Sequence, residues 1–206
     1  MSDSIRVGLI GYGYASKTFH APLIAGTPGM ALAAVSSSDA TKVHADWPTV
    51  PVVSEPKHLF NDPNIDLIVI PTPNDTHFPL AKAALEAGKH VVVDKPFTVT
   101  LSQARELDAL AKSLGRLLSV FHNRRWDSDF LTVKRLLSEG TLGEILFFES
   151  HFDRFRPQVR NRWREQAGPG SGIWYDLAPH LLDQAVNLFG LPVSMTVDLA
   201  QLRPGA

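Results

Sequence analysis

The stretch Ile5-Arg6-Val7-Gly8-Leu9-Ile10-Gly11-Tyr12-Gly13-Tyr14-Ala15-Ser16 decides the fold of this chain. Its first half, Ile5–Ile10, is an apolar run of the kind found in strands that are buried on both faces of a parallel sheet. Its second half passes through glycines into a helix predicted over residues 15–25. A strand, a glycine loop and a helix in this order are the beginning of a βαβ unit.

The glycine loop has the residue types that a dinucleotide phosphate site needs. Gly11 permits a tight turn, Gly13 lets the backbone approach a pyrophosphate, and the amino terminus of the following helix offers free N–H groups to the anion. Two glycines alone are a weak signal, because glycines mark many turns. Ser16, which replaces the third glycine of the usual fingerprint, is small enough for the helix to pack closely on the strand. The flanking strand and helix therefore favour cofactor binding at Gly11, Gly13, Tyr14, Ala15 and Ser16.

Strand and helix patterns alternate through the first half of the chain. Apolar runs predict further strands at residues 30–35, 50–53, 65–70, 90–93 and 117–121. Between them, Asp39 is placed to cap one helix, and residues 78–87 form another that ends at Gly88. Thr100 and Gln103 form a capping box that opens a third helix. This alternation predicts an α/β fold with a doubly wound parallel sheet.

The pattern changes after residue 121. A helix capped by Asp127, a long strand at residues 144–155, an amphipathic helix at 173–189 and a last strand at 193–202 are predicted. Two strands make too small a sheet to stand alone. The expected organisation is therefore a first domain at 1–122 and an incomplete α+β domain at 123–206.

Composition limits the classes of function. The chain has 206 residues, 44% of them hydrophobic, a net charge of −1 and no cysteine. These values argue against nucleic acid or an anionic membrane as the main partner, and against disulfides and thiolate metal sites. The first residues lack the basic and apolar regions of a signal peptide. A cytoplasmic globular protein is expected.

The end of the second strand bears on the choice between NAD and NADP. An acidic residue there would bind the ribose hydroxyls of NAD, whereas this chain has Ser36, Ser37 and Ser38, with Lys42 one helical turn further on. Hydroxyls, N–H groups and an ammonium can hold the 2′-phosphate of NADP, so NADP is the predicted cofactor. Alternatively, the serines form only a turn, or Asp39 is the ribose acid displaced along the chain.

The fourth strand ends in Pro71-Thr72-Pro73-Asn74-Asp75-Thr76-His77. Its prolines fix a rigid turn where the nicotinamide ribose is expected. The predicted cofactor contacts are Thr72, Pro73, Asn74 and His77. The same segment can also serve as a helix cap through Asp75 or Thr76.

Lys95 follows the fifth strand directly, in Asp94-Lys95-Pro96. A solvated loop lysine is the ordinary interpretation of such a residue. In an open parallel sheet, however, ligands bind at the carboxyl ends of the strands, and an amine fixed there can hydrogen-bond a substrate oxygen beside a cofactor. Both Asp94 and Lys95 are therefore predicted to lie at the cofactor, with Lys95 catalytic.

Asp176 and His180 are four residues apart on a predicted helix, so their side chains share one face, about 5–6 Å apart at Cβ. Asp183 and Asn187 extend this polar stripe, and the opposite face is expected to pack on the core through Leu177, Leu181, Leu182, Ala185 and Leu188. A metal site lacks a third ligand at recognisable spacing, so no metal is predicted. A core histidine held by a carboxylate is the alternative. Beside a nicotinamide fold, a general acid–base pair is preferred.

Several motifs together resemble the glucose–fructose oxidoreductase / inositol dehydrogenase / rhizopine catabolism (Gfo/Idh/MocA) family. They are Gly11-Tyr12-Gly13, Thr72-Pro73-Asn74, Ala87-Gly88-Lys89-His90-Val91, Asp94-Lys95-Pro96 and Tyr175-Asp176-x-x-x-His180. The segment Phe121-His122-Asn123-Arg124-Arg125-Trp126-Asp127 looks like the NADP-linked scyllo-inositol dehydrogenase branch. The resemblance covers nearly the whole chain.

The resemblance implies a Rossmann domain followed by a domain with a large, open, mainly antiparallel sheet. It implies an oxidoreductase that interconverts a secondary alcohol and a ketone on an inositol, polyol or sugar-like substrate. Lys95, Asp176 and His180 take the places of the family's catalytic lysine, aspartate and general base. Weaker substrate-side candidates, which surface packing explains about as well, are Arg124, Trp126 and Trp163.

Two departures from the family pattern matter. Asp94 stands where the family usually has glutamate, which puts the reach of this carboxylate in question. Family members also continue well beyond this length, with strands that complete a sheet used for self-association, so a homo-oligomer is expected of the longer form. Two alternatives remain: a non-catalytic NADP-binding regulator, and a folded but inactive core.

Overall fold

The structure, a computed structural model, describes residues 4–153 and 155–201, apart from the side chain of Trp163. It divides into two units, Met1–Phe121 and His122–Ala206. The domain boundary predicted after residue 122 lies one residue from this division. Each unit has its own local architecture.

The described residues of the first unit, from residue 4 to 121, are built on a six-stranded parallel sheet. The strands are β1 (Ile5–Ile10), β2 (Met30–Ser36), β3 (Val52–Val53), β4 (Leu67–Ile70), β5 (His90–Asp94) and β6 (Leu118–Phe121). Their order is β3-β2-β1-β4-β5-β6, and every neighbouring pair is parallel. The order reverses between β1 and β4, so a crevice opens at the carboxyl ends of these two strands. The predicted doubly wound sheet is confirmed.

From residue 4 onwards, the α-helices of this unit are α1 (Ala21–Gly26), α2 (Ala40–His44), α3 (Pro56–Phe60), α4 (His77–Glu86) and α5 (Leu101–Ser113). The helix predicted from residue 15 starts in α-helical form at Tyr14 and Ala15 and continues through a π-helical segment, Ser16–His20, into α1. Pro22 has no N–H to donate to the carbonyl four residues earlier, and Ala21 N donates to Ser16 O in the wider π register.

Among the described residues, no helix is long and apolar enough to cross a membrane.

Two apolar layers cover the two faces of the sheet. Because side chains alternate along a strand, Val69 packs with Leu9 and Val35 on one face, whereas Ile68 and Ile70 pack on the other. Helices α1 and α2 cover the face that carries Val69, and α4 and α5 cover the face that carries Ile68 and Ile70. Burial on both faces explains why the strands read as continuous apolar runs.

The second unit contains α6 (Ser128–Ser138) and α7 (Gly172–Phe189), with 3-10 turns at Asn123–Trp126 and Trp163–Glu165. The strands predicted at residues 144–155 and 193–202 are not formed by the part of these segments that the structure describes; residues 154 and 202 lie outside it. A strand is stable only when its N–H and C=O groups pair with a neighbour, and the described residues provide none. The antiparallel sheet expected here is therefore absent from them.

The alternating apolar side chains of the last predicted strand are exposed: Val193, Met195, Val197 and Leu199. The alternating pattern at these positions predicted a strand that the described residues do not form. It did not carry information about the partner on which a strand depends.

The capping box of α5 gives a first prediction. Thr100 Oγ1 accepts a hydrogen bond from Gln103 N at 3.3 Å, and Thr100 N donates to Gln103 Oε1 at 3.3 Å. Thr100→Ala should lower the free energy of unfolding by about 1 kcal/mol, because an N–H at the start of the helix loses its acceptor. Urea denaturation measures the change. Thr49→Ala, at an exposed loop position, is the control, and equal effects at both positions would contradict the assignment.

Candidate functional site

The glycine loop after β1 is held close to β2. Gly11 has φ +80°, a left-handed conformation that favours glycine, and its N–H donates to Ser36 O at 2.7 Å. A Cβ on Gly11 would come within 3.6 Å of Thr72 Cγ2 in the loop after β4. A Cβ on Gly13 would meet no atom within 4 Å among the described residues. The backbone at Gly13 is thus open to a ligand.

The residues that follow this loop begin the helix. Lys17 N donates to Gly13 O at 2.9 Å, which closes the first turn. Tyr14 is 77% exposed, with its ring edge-on to Phe19. Ser16 is buried, and its Oγ has no hydrogen-bond partner among the described residues. An open backbone beside N–H groups at a helix start has the chemistry that a pyrophosphate requires.

The serines after β2 have different surroundings. Ser36 is buried, Ser37 is half-buried and Ser38 is exposed. Ser37 Oγ accepts from Asp39 N at 3.1 Å. Asp39 Oδ1 accepts from Thr41 N at 3.1 Å and from Lys42 N at 3.3 Å, so the predicted helix cap is confirmed.

The Asp39 carboxylate is therefore engaged by the start of α2. The backbone N–H of Lys42 holds the pKa of Asp39 below its ordinary value, and its ammonium lies 3.4 Å from Asp39 Oδ2. An acid that caps a helix and pairs with a lysine is less available to a ribose hydroxyl than an unengaged one.

A surface cavity of about 320 Å³ adjoins the glycine loop, lined by Tyr12, Gly13, Tyr14, Lys17, Lys42 and Ala45. Lys17 Nζ lies 2.9 Å from Asp46 Oδ2, to which the Tyr12 hydroxyl also donates at 2.9 Å. Lys17 and then Tyr12 hold the pKa of Asp46 below its ordinary value. Sequence reasoning missed Lys17 and Asp46. The spacing of Lys17 one turn after Gly13 could have indicated the lysine, but Asp46 is brought in by tertiary structure.

The loop after β4 forms a tight polar turn that ends in a 3-10 segment, Asn74–Thr76. The Thr72 and Thr76 hydroxyls lie 2.6 Å apart, and Thr76 Oγ1 donates to Pro73 O at 2.7 Å. Thr72 is half-buried, Pro73 is exposed and Asn74 is buried. The rigid turn expected at this strand end is formed.

His77 was predicted to contact the cofactor, but in the structure its ring contacts backbone carbonyls instead. Its ring is fully buried, with Nδ1 2.8 Å from Pro96 O and Nε2 2.9 Å from Thr72 O. Both polar atoms of the ring are thus used by backbone carbonyls. His77 is placed to join the loops after β4 and β5, and presents no atom to a ligand.

Lys95 is half-buried at the carboxyl end of β5. Its backbone N–H donates to Asp94 Oδ1 at 2.7 Å. The other carboxylate oxygen, Asp94 Oδ2, is 3.5 Å from His20 Nε2, a long contact for a hydrogen bond. His20 is itself buried and tilted against Phe121, with ring centroids 4.3 Å apart. Asp94 therefore contacts the backbone of Lys95 and a buried imidazole.

The charge on Asp94 is stabilised despite its burial. Burial alone would raise the pKa of Asp94, but the His20 imidazole, and then the N–H and charge of Lys95, outweigh it and hold the pKa below its ordinary value. The shorter acid at this position is thus ionised at neutral pH. It fixes the peptide that carries Lys95.

In the second unit, α7 carries Asp176 and His180 one turn apart. His180 is 5% exposed, and its ring centroid lies 6.2 Å from that of Phe152. Asp176 is partly exposed, and its Oδ1 is 3.7 Å from Arg164 Nε. The two side chains emerge from the same helical face, as their spacing predicts.

The next turn of α7 departs from the expected pattern. The side chain of Asp183 is only 8% exposed, whereas Leu182, expected to pack on the core, is 41% exposed. Arg125 explains the reversal, because its Nε and NH2 donate to the two Asp183 oxygens at 2.8 and 2.6 Å. His122 Nε2 lies 3.8 Å from Asp183 Oδ1. A bidentate pair of this kind compensates the burial of a carboxylate.

The three weaker substrate-side candidates also belong to the second unit. Arg124 NH1 donates to Asp127 Oδ2 at 2.7 Å, and its guanidinium carbon lies 5.3 Å from the centre of the Phe152 ring. Asp127, expected to cap α6, uses its side chain on Arg124 and makes no capping hydrogen bond. Trp126 is 74% exposed. The side chain of Trp163 lies outside the described part of the structure.

The first unit thus gathers the loops after β1, β2, β4 and β5 at one edge of the sheet, and these loops carry the predicted cofactor residues and Lys95. Asp176 and His180 belong to the second unit. The sheet order and the glycine loop define a dinucleotide-binding Rossmann protein.

Comparison with known proteins gives the family. Residues 5–122 match the model of an oxidoreductase family with an NAD-binding Rossmann fold, and residues 130–206 match the GFO/IDH/MocA C-terminal domain. The chain belongs to the Gfo/Idh/MocA oxidoreductase family.

Three relatives illustrate the similarity. The chain is 90% identical to the uncharacterized oxidoreductase YdgJ of Escherichia coli. That match covers the whole of this chain and 60% of YdgJ. The chain is 41% identical to the NADP(+) scyllo-inositol 2-dehydrogenase IolW of Bacillus subtilis. That match covers 99% of this chain and 57% of IolW. All of this chain superposes on 58% of YPO2259 from Yersinia pestis, solved as a candidate oxidoreductase, at TM-score 0.93 and 73% identity. The chain spans about 60% of the curated relatives' length.

Asp94 yields a prediction on pH. Its folded pKa lies below its unfolded value of ~3.9, so its ionised form stabilises the fold above that pH, and the contribution is lost as the pH falls through the folded pKa. Asp94→Asn should therefore lower the free energy of unfolding at neutral pH, by an amount that shrinks below about pH 4. Urea denaturation across this range measures the difference.

Asp75→Asn is the matched control, because Asp75 is an exposed carboxylate in the loop after β4. A deficit in the Asp94 variant that does not change with pH would contradict the charged pairing of Asp94 with His20 and Lys95.

Proposed function

We propose that this protein is an NADP(H)-dependent oxidoreductase that interconverts a secondary alcohol and a ketone on an inositol, polyol or sugar-like substrate. The observation that carries the proposal is the position of Lys95. It ends β5, the neighbour of β4, and the sheet order reverses between β4 and β1. An amine here is next to the crevice in which Rossmann proteins bind their cofactor.

The proposed chemistry divides between the two units. When bound, the nicotinamide cofactor supplies or accepts the hydride. Lys95 Nζ donates a hydrogen bond to the reacting oxygen, and the His180 imidazole takes up or returns the hydroxyl proton. Asp176 pairs with His180 or Lys95 and stabilises the charge that develops. The proposal requires His180 and Lys95 to meet on one substrate carbon during turnover.

Two structural features and one relative support NADP as the cofactor. Lys17 and Lys42 line the cavity beside the glycine loop, and ammonium groups can bind a 2′-phosphate. Asp39 is engaged as a helix cap, so it competes less for ribose hydroxyls. The related protein IolW is named for its use of NADP(+).

The substrate class rests on the name of IolW, a scyllo-inositol 2-dehydrogenase at 41% identity. Arg124, Trp126 and Trp163 remain the proposed substrate-side residues. A guanidinium that stacks near Phe152 and an exposed indole can both contact a polyol ring. We also propose self-association of a chain of the relatives' full length.

Lys95→Met tests the mechanism. Methionine keeps an unbranched side chain of similar volume but donates no hydrogen bond, so turnover of scyllo-inositol or another accepted polyol should fall by about 10³-fold or more if this donor stabilises the reacting oxygen. NADPH affinity, measured by nicotinamide fluorescence titration, should stay within about threefold. Steady-state reduction of NADP at saturating polyol measures turnover.

Lys112→Met, on the exposed face of α5, is the control. Full turnover in the Lys95 variant would exclude the mechanism. Tight NADPH binding without turnover, in this chain and in one extended to the relatives' length, would favour a non-catalytic regulator. Turnover in the extended chain alone would make the 206-residue chain an inactive core.

Ser37→Asp tests the cofactor assignment. A carboxylate at this strand end would repel a 2′-phosphate and accept hydrogen bonds from ribose hydroxyls, so the ratio of the NADPH to NADH dissociation constants should rise by about tenfold or more. Fluorescence titration with both cofactors measures it. Ser54→Asp, at an exposed position after β3, controls for added charge, and an unchanged ratio in Ser37→Asp would mean that the phosphate binds elsewhere.

A further inference from the structure

The loops after β4 and β5 are joined by one buried imidazole. His77, the first residue of α4, reaches Thr72 O at 2.9 Å with Nε2 and Pro96 O at 2.8 Å with Nδ1. The ring is fully buried, and Pro96 is buried as well. A polar ring sealed between two carbonyl oxygens is expensive to place unless both contacts are satisfied.

The chemistry of the two contacts fixes their direction. A carbonyl oxygen can only accept a hydrogen bond, so each contact is a hydrogen bond only when its ring nitrogen carries a proton. A neutral imidazole carries one proton, on Nδ1 or on Nε2, and only the imidazolium form donates from both nitrogens. Loss of the Nδ1–H donor would leave the buried Pro96 carbonyl without this partner, a situation that proteins avoid.

His77 contacts the carbonyl of Pro96, the residue that directly follows Lys95. On the other side, Asp94 Oδ1 accepts from Lys95 N at 2.7 Å. The Lys95 backbone is thus held from both directions, by Asp94 and by His77 through Pro96. The Nζ atom lies at the end of a flexible four-carbon stem, so the position of this backbone limits where the amine can reach.

We infer that His77 is a positioning residue for Lys95, and that it acts through the hydrogen bond from Nδ1 to Pro96 O. This inference rests on the proposed function of Lys95. His77 then contributes to the reaction without touching cofactor or substrate. Its two ring nitrogens have different roles: Nδ1 holds the turn that carries Lys95, whereas Nε2 holds the loop after β4.

Two substitutions separate the two nitrogens. The amide nitrogen of Asn lies near the position of Nδ1 in histidine, and that of Gln lies near the position of Nε2. His77→Asn therefore keeps a donor for Pro96 O, and His77→Gln keeps one for Thr72 O. With the polyol accepted in the Lys95→Met experiment, kcat of the Gln variant should be about tenfold or more below that of the Asn variant, because a displacement of about 1 Å at a reacting group can cost about 10²-fold.

NADPH affinity should stay similar in the two variants, because neither nitrogen faces the ligand. Hydrogen exchange gives a readout that does not depend on activity: amides of residues 94–99 should exchange faster in His77→Gln than in His77→Asn. His58→Asn, at an exposed position on α3, controls for loss of a ring.

Equal losses of kcat in the two variants, or a Gln variant more active than the Asn variant, would overturn the inference, as would equal exchange at residues 94–99. The unmutated chain provides a check that does not depend on the folding of variants. Nitrogen-15 NMR of the His77 ring should show a slowly exchanging proton on Nδ1, and a ring protonated on Nε2 alone would overturn the inference. If Lys95→Met keeps full turnover, the proposed function fails, whereas the exchange and NMR results still decide whether His77 holds this turn.

Discussion

Burial of β1, β4 and β5 on both faces is the constraint on which the first unit depends. Side chains such as Leu9, Ile68 and Val93 fill apolar layers on either side of the sheet, so an unpaired polar group along a strand would be costly. Residues that bind ligands are therefore confined to the strand ends. Because parallel strands direct their carboxyl ends to one edge, the glycine loop and Lys95 occur at the same edge.

That edge is held together by directional contacts between neighbouring loops. The N–H of Gly11 binds Ser36 O, and His77 binds carbonyls from the loops after β4 and β5. Apolar packing tolerates small shifts, whereas a short hydrogen bond fixes both distance and direction. Apolar layers thus determine which loops are neighbours, and buried polar groups determine their relative position within the unit.

The parts of the fold that could be predicted from sequence have local causes. Asp39 and Thr100 cap helices whose N–H groups are two or three residues away, and the β1 run needs only its own composition to indicate burial on both faces. His77 was predicted as a ligand contact because it follows a ligand loop. Its acceptor on Pro96 is 19 residues further along the chain, and no local pattern indicates which way a ring will turn.

Prediction from sequence is less successful in the second unit, because its structure depends less on apolar packing. Among the residues that the structure describes there, the buried apolar side chains are Phe130, Leu177 and Ala178. Helix α7 is also bound by polar contacts: Arg125 to Asp183, Gln184 Nε2 to Arg124 O at 3.0 Å, and Lys134 to Asn187 at 2.9 Å. A hydrophobic period predicts the face of a helix only where apolar burial decides its rotation. In α7 the Arg125 guanidinium binds Asp183, whose side chain is only 8% exposed, while Leu182 is 41% exposed. The burial of this turn therefore follows a charge pair and not the apolar period of the helix.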